Sequence, residues 1–490
     1  MQMTGPGTSD ESGDEPPGPT TGVQSTGPGT SDESGDEPPE PTACEAAAAD
    51  ASHVGCDYWP TILASEYGLG DPPSPFNYVV VVANAGTEPA DITVTGPGGV
   101  DQGTTVEPGS LTKMYLPWVV ALSQSLGGAC GVPLCSVKVA RGAYHLVSTR
   151  PVSVYQFNPL EYQGLGAPPG EFWLSQSSDA SVLLPSTAMT GNYRVAGQTG
   201  QSLGSYLAIT GTQDDTSVNV TVGSAGAINA GLGIVATPAG ELLTLSLDAG
   251  DVVQLFAANG DDLSGSLVEA DKPVQVMTGS PCLQAPTGQA FCDHIEASIV
   301  PVEALGRHYF VAVPTGPEGA PIGHFVRLYG HVDGTQLTYA PAAPAGAPAT
   351  LDAGEVVDLG VVPGDFEVKG NQGFLVGTLM LAASMVPTGQ GDPSQSFAVA
   401  VERFRETHVF LSPADWEASF VDVVAPEGAL LELDGSPVSD TPTPIGATGV
   451  VVYRLPLTGD AHRLTSTEPV GIQVMGYGNA SGYQYPGGGN

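Results

Sequence analysis

One short phrase recurs down this chain, and it constrains the fold more than any other feature. It reads Ser148-Thr149-Arg150-Pro151-Val152-Ser153-Val154, then Glu269-Ala270-Asp271-Lys272-Pro273-Val274-Gln275-Val276, then Ser466-Thr467-Glu468-Pro469-Val470-Gly471-Ile472. A worn copy stands at Gly370-Asn371-Gln372-Gly373-Phe374-Leu375-Val376. Each copy is a turn followed by a strand of alternating apolar residues. The copies lie roughly 100–120 residues apart, one domain length. Most of the chain therefore reads as one β-rich module used about four times. The alternation predicts that Val152 and Val154, Val274 and Val276, and Val470 and Ile472 each share a face and enter the core of their own module.

Other pieces recur in the same order. A glycine turn enters a strand at Pro108-Gly109, Ala249-Gly250, Ala353-Gly354 and Thr448-Gly449. A hairpin precedes it at residues 78–94, 206–222, 325–339 and 420–433. Period-2 alternation, β-branched enrichment and frequent Gly, Asp and Asn turns predict antiparallel strands. No helical period stands out, although residues 119–126 have room for a turn or two. The fold class is all-β: about four tandem β-sandwich-like modules after a disordered acidic linker, with a propeller-like closed array as the alternative. The expected divisions are 1–43 for the linker, then 44–165, 166–293, 294–390 and 391–490 for the modules.

The linker assignment rests on a duplication. Residues 4–20 read TGPGTSDESGDEPPGPT, and residues 26–42 repeat them with Glu40 in place of Gly18. The first 43 residues hold nine acids and no base. Such a stretch buries too little apolar surface to offset chain entropy, so it is expected to be disordered. The whole chain carries a net charge of −39, with 13 basic against 52 acidic residues. Nucleic acid demands a positive footprint, and anionic membranes a basic surface, so neither is an expected partner. The apolar runs are strand-length, too short for a membrane helix. Met1 leads straight into the acidic stretch with no signal peptide.

Six cysteines fall into three close neighbours: Cys44 and Cys56, Cys130 and Cys135, Cys282 and Cys292. An even count in local pairs points to disulfides in an oxidising compartment, with local pairing the favoured one of 15 connectivities. Export then requires a signal outside the given start, and an acidic linker in this place suits a lipoprotein tether anchored upstream. Cys282, Cys292 and His294 invite a metal reading, but zinc wants four ligands and the cysteine spacing is wrong. Asp214-Asp215 and Asp261-Asp262 admit a calcium reading without EF-hand spacing, and acidic turns explain them equally. No cofactor, metal site or catalytic residue is assigned. GxSxG, HExxH, Walker and dinucleotide fingerprints are all missing. His308 and His408 occupy matching places in successive repeats, which favours a packing role over a single active site. Trp59, Trp118, Trp173 and Trp416 read as packing residues rather than a glycan platform.

Several stretches carry a family resemblance, Asp262-Leu263-Ser264-Gly265-Ser266 and Asp271-Lys272-Pro273-Val274-Gln275-Val276 among them. Gly279-Ser280-Pro281-Cys282, Cys292-Asp293-His294-Ile295-Glu296, and Pro301 through Leu305-Gly306-Arg307-His308-Tyr309 resemble the N-terminal domain family of the IgGFc-binding protein, as does the closing Gly482-Tyr483-Gln484-Tyr485-Pro486-Gly487-Gly488. The resemblance runs from Cys56 to Gly488. It implies a secreted or surface protein of bacterial, myxobacterial type, with a non-catalytic binding or adhesion role. No ligand-binding residue transfers with it. The expectation is a cell-surface or extracellular β-repeat protein recognising a protein or glycan partner. The alternatives are a polysaccharide-directed enzyme and a structural envelope protein.

Overall fold

The computed structural model describes residues 41–65, 76–123, 135–165, 172–175, 177–199, 204–258, 260–290 and 292–487. The duplicated acidic stretch lies outside them, apart from its last residues. The described chain is nearly all β. Its two α-helices are Ala43–Asp50 and the single turn Val120–Ser123. The first helix is missed by hydrophobic periodicity because none of its residues is buried. Its start is nonetheless written in the chain. Thr42 accepts from the Glu45 amide, and the Glu45 carboxylate accepts from the Thr42 amide, a reciprocal capping box.

The recurring phrase turns out to be the corner at which the chain passes from one sheet to another. In the strand His145–Phe157, Leu146 and Ser148 pair with Val94 and Ile92, whereas Val154 and Phe157 pair with Val82 and Val79. Pro151 sits at the change of partner. In the second repeat, Leu267–Ala270 pairs with Thr216–Thr221, and after Pro273 the strand Val274–Leu283 pairs with Tyr206–Gly211. The third does the same with Phe366–Gly370 on Thr335–Ala340 and Phe374–Leu379 on His324–Gly330. In the fourth, one long strand, Ala461–Gly478, pairs first with Leu431–Leu433 and then with Ala418–Pro426. Proline has no amide to donate and a fixed φ, so it is well placed where a ladder must break and the strand must bend.

The facing of these strands follows the alternation. Val152 and Val154 pack with Ile92, Val94 and Leu146. Val274 and Val276 pack with Val218, Val220 and Val268, Phe374 and Val376 with Leu337 and Val368, and Val470 and Ile472 with Leu431 and Leu464. The opposite face is buried too, against a neighbouring repeat. Met277, Tyr206 and Phe256 enter the core of the first repeat. Leu375, Tyr329 and Phe397 enter that of the second, and Phe310 meets Val424 and Val452 of the fourth. Tyr155 and Phe157 of the first repeat meet Tyr483 and Tyr485 of the fourth at ring distances of 5.0–6.1 Å. First to second, second to third, third to fourth and fourth to first, the contacts close a cycle.

At its centre lie four short strands. Ala180–Val182 pairs with Tyr155–Phe157, Asp293–Ser298 with Val274–Leu283, Gln395–Phe397 with Gly377–Leu379, and Ser481–Pro486 with Gln473–Gly478. Each of the four also touches the next in the cycle, and the last touches the first. The strand Asp293–Ser298 crosses the 293/294 division. Ala180–Val182 and Gln395–Phe397 pair back onto strands of the preceding module. Sandwich-like repeats and a closed array therefore coexist in this fold. Each repeat contributes two sheet halves, joined through one long strand in the first and fourth repeats and separate in the second and third, where a propeller blade would contribute one sheet.

Cys44 is bonded to Cys56 and Cys282 to Cys292, with Cα separations of 5.8 and 5.0 Å, both inside the usual disulfide range. The expected third pair includes Cys130, which lies outside the described residues. Among the described residues no helix is long and apolar enough to cross a membrane.

Candidate functional site

The densest set of titratable side chains sits in the hub made by the four central strands. Asp179, at the entrance to the first, accepts from the Glu296 amide at 2.9 Å, the Gln395 amide at 3.2 Å and the Ser394 hydroxyl at 2.5 Å. One carboxylate thus ties together three repeats. Asp293 of the second repeat accepts from Ser481 Oγ at 3.2 Å and the Gly482 amide at 3.3 Å in the fourth. Glu296 takes Gln156 Nε2 at 2.9 Å and Asn158 Nδ2 at 3.2 Å from the first repeat, and faces His294 Nε2 at 3.3 Å. Asp392 completes the set, with both carboxylate oxygens buried and only the Ala383 backbone favouring its charge.

Burial governs the chemistry of these acids. Asp179, Asp293, Glu296 and Asp392 are each 0% exposed. Loss of solvent pushes Asp179 well above the usual carboxylate range. It does the same to Asp293, reinforced by the neighbouring Asp392 and Asp179 charges. Asp392 is pushed up to about 7. Perturbed carboxylates often mark active sites. Here, however, no substrate reaches them without parting the four strands.

An open cleft lies elsewhere, between the first and fourth repeats, with a volume of about 760 Å³. That is ligand-sized. Its walls are the hairpin turn Ala85–Glu88, the corner at Arg150-Pro151 and the strand entry Phe404–Val409. Arg150 pairs with Glu88 across one rim, and Arg405 reaches Asp50 of the N-terminal helix at 3.1 Å. Two histidines line the cleft and neither is poised as a base. His408 is buried, its ring nitrogens set against the carbonyls of Gly487, Arg405 and Val470 at 3.0–3.2 Å. Burial lowers its pKa. His53 is lowered further, by burial and then by the nearby Arg405, His408 and Arg403 charges.

The residues singled out from sequence are dispersed. The sulfurs of Cys282 and Cys292 are bonded to each other, which removes the thiolates that a metal would need. Among the described residues no three His, Cys, Asp or Glu side chains are grouped to hold a metal. Asp214 accepts the Ala249 amide, while Lys272 Nζ donates to the Asp214 and Asp215 carbonyls. Asp261 takes the Ala227 amide, and Asp262 takes Arg327 at 2.6 Å. His308 bonds Glu367 at 2.8 Å rather than repeating the backbone contacts of His408. Trp59 stacks on His145 at 4.2 Å, Trp118 donates to the Phe76 carbonyl, and Trp416 packs on Tyr162 and Tyr483. The side chain of Trp173 lies outside the described residues.

Asp293 and Glu296 stand in a stretch that carries the family resemblance, but the sequence assigns no role to the hub acids, although a signal for them exists. Asp179, Asp293 and Asp392 each stand at, or just before, the closing strand of their repeat, and Ser481 stands there in the fourth.

Comparison with known proteins bears on the same elements. The family described as IgGFc binding protein matches residues 179–476, from the hub aspartate of the first repeat into the last long strand. The human IgGFc-binding protein is 28% identical over 215 residues, which is 43% of this chain and 4% of that protein. The chain thus spans a small fraction of that relative. Two solved structures align with little likeness. An anti-sigma factor domain-containing protein from Clostridium clariflavum has 13% identity and a TM-score of 0.11, over 67% of this chain and 90% of that one. A tetra-tandem repeat from the extending region of a large adhesion protein has 11% identity and a TM-score of 0.09, over 83% and 92%. The match over most of the closed cycle is what classifies the protein: the chain belongs to the IgGFc-binding protein family.

Proposed function

We propose that this chain works outside the cell, at its surface, as a non-catalytic binding protein that seats a protein partner in the cleft between its first and fourth repeats. The observation that carries the reading is the separation of acid chemistry from access. The perturbed hub carboxylates are sealed at 0% exposure. Outside the hub, Asp422 is buried against Thr315 and Asp415 is tied to the Tyr162 and Gln163 amides, while the open cleft has histidines that burial and neighbouring cations keep neutral. Membership of a family named for protein binding supports it. Two disulfides suit an oxidising, extracellular setting. The cleft walls are loop and corner segments on a rigid β scaffold, the usual place for recognition.

The test is biolayer interferometry with the immobilised full chain against IgG Fc and against soluble polysaccharides, repeated with Thr87→Trp and Glu406→Arg. Both residues line the cleft and are exposed. Saturable binding of a protein that either change weakens about tenfold, roughly 1.4 kcal/mol, is the expected outcome. Binding that ignores both changes refutes the location. Cleavage of a polysaccharide by the wild-type chain refutes the non-catalytic reading.

A further inference from the structure

The hub poses an electrostatic problem that the rest of the fold does not solve. Four carboxylates are taken out of water together, and a buried charge is tolerated only when paired or neutralised. The 13 basic residues of the chain offer no partner: no Lys or Arg forms an ion pair with any of the four among the described residues. The His294 imidazole faces Glu296. Asp179 has four donors, the Ala180 amide among them, and Glu296 two amide donors. Asp293 keeps the Ser481 hydroxyl and the Gly482 amide, together with the His294 amide. Asp392 has no cation, its carboxylate oxygens are buried with only the Ala383 backbone favouring its charge, and it shares its surroundings with Asp293. The remaining titratable groups facing the hub are Tyr78 and Tyr206, which face Glu296, and the Tyr477 ring, which closes on Gly391. None brings positive charge.

We propose that the hub is a proton-held clasp: a proton retained by the Asp293–Asp392 pair keeps the second, third and fourth repeats closed on one another, and its loss loosens the cycle. A divalent cation would be the other way to neutralise the pair, but no third ligand is grouped with it among the described residues. Geometry places the consequence at the closing strands. Asp293 holds Ser481 and Gly482 of the last strand, and a carbon added at Gly482 would sit 2.7 Å from the Asp392 carbonyl. An ionised pair therefore repels where the fourth repeat joins the cycle.

The direction with pH follows from the same burial. Asp392 titrates near 7 in the fold and near 3.8 when exposed. Its stabilising contribution is full below about 3.8 and is lost as pH rises through about 7.

The experiment is urea unfolding of the full chain from pH 5 to 8, beside Asp392→Asn, which keeps the shape and removes the charge. Linkage between those two values makes the wild-type unfolding constant rise roughly a hundredfold more than that of the variant over this range. Parallel pH profiles overturn the proposal. Asp293→Asn serves as the second variant, and infrared spectroscopy of the wild type at pH 6 gives a reading independent of refolding. A protonated buried carboxyl band is expected, and its absence overturns the idea. Millimolar Ca2+ that stabilises the wild type at pH 8, but not Asp392→Asn, would show a cation in place of the proton and also overturn it.

Discussion

Arg327 offers a direct test of how the second and third repeats are joined. It lies in the strand His324–Gly330, with its side chain 5% exposed. Its Nη1 meets Asp262 of the second repeat at 2.6 Å and the Gly197 carbonyl at 3.1 Å. Its Nε and Nη2 hold Asp358 of its own repeat at 2.5 and 2.9 Å. Arg327→Met keeps the apolar stem and removes the charge. Asp358 is 48% exposed and returns to water at a cost below about 1 kcal/mol. The Gly197 carbonyl keeps the Tyr329 hydroxyl at 2.6 Å. Asp262 is different: at 12% exposure it retains only the Ser264 amide and the Thr199 hydroxyl. An uncompensated buried carboxylate costs about 3–5 kcal/mol, so the whole effect falls on this one group. Urea unfolding followed by fluorescence and circular dichroism should show that loss at unchanged slope. Adding Asp262→Asn to Arg327→Met should recover more than half of it. A single change costing under about 1 kcal/mol, or a double variant no better than the single, would refute the assignment of the joint to this pair.

Two further changes probe the corners and the disulfide. Val276→Asp buries an unpaired charge in the second repeat and should abolish its cooperative melting, whereas Pro273→Ala should cost on the order of 1 kcal/mol by freeing the unfolded chain; thermal melts in which the two behave alike would reject the sheet-switching role of this corner. Replacing Cys282 and Cys292 together by serine opens a loop with a sequence separation of 10 and should cost about 3 kcal/mol. Calorimetry showing an unchanged transition would mean that the loop is held by its packing instead.

The corners were legible because proline and glycine punctuate the chain at the points where a ladder breaks, and because Val-x-Val keeps one face apolar. The second face was less legible. Gln275 is 3% exposed and donates to the Trp59 carbonyl and Thr61 Oγ1 of the first repeat. A glutamine between two valines reads as a solvent face until a neighbouring repeat supplies its partners. The hub was hidden for a related reason. Asp179 and Asp293 look like ordinary turn residues, and only long-range pairing brings donors from other repeats onto them. The helix Ala43–Asp50 shows a different limit: its signal lies in the cap rather than in an apolar stripe. The cleft between the first and fourth repeats needed both ends of the chain to be placed, which local pattern does not supply.

The extent of the family match, set against the closed cycle, has a physical consequence. The match begins at Asp179 and ends at residue 476. It therefore leaves out most of the first repeat and the final strand Ser481–Pro486. Yet the cycle depends on both. Asp293 finds its side-chain and backbone donors at Ser481 and Gly482, and Glu296 finds its amides at Gln156 and Asn158. A chain cut to the matched stretch would strip these carboxylates of their donors from the other repeats, leaving only His294 beside them, or else expose the strands that cover them. The first repeat keeps the same sheet-switching corner at Pro151 and the same inward valines. It is one of four equivalent members by structure even though its sequence falls outside the match. What holds this protein together as a unit is thus a hub assembled from all four repeats. The repeats are interdependent rather than beads on a string, and the cleft at the seam of the first and fourth lies at the place where the cycle closes.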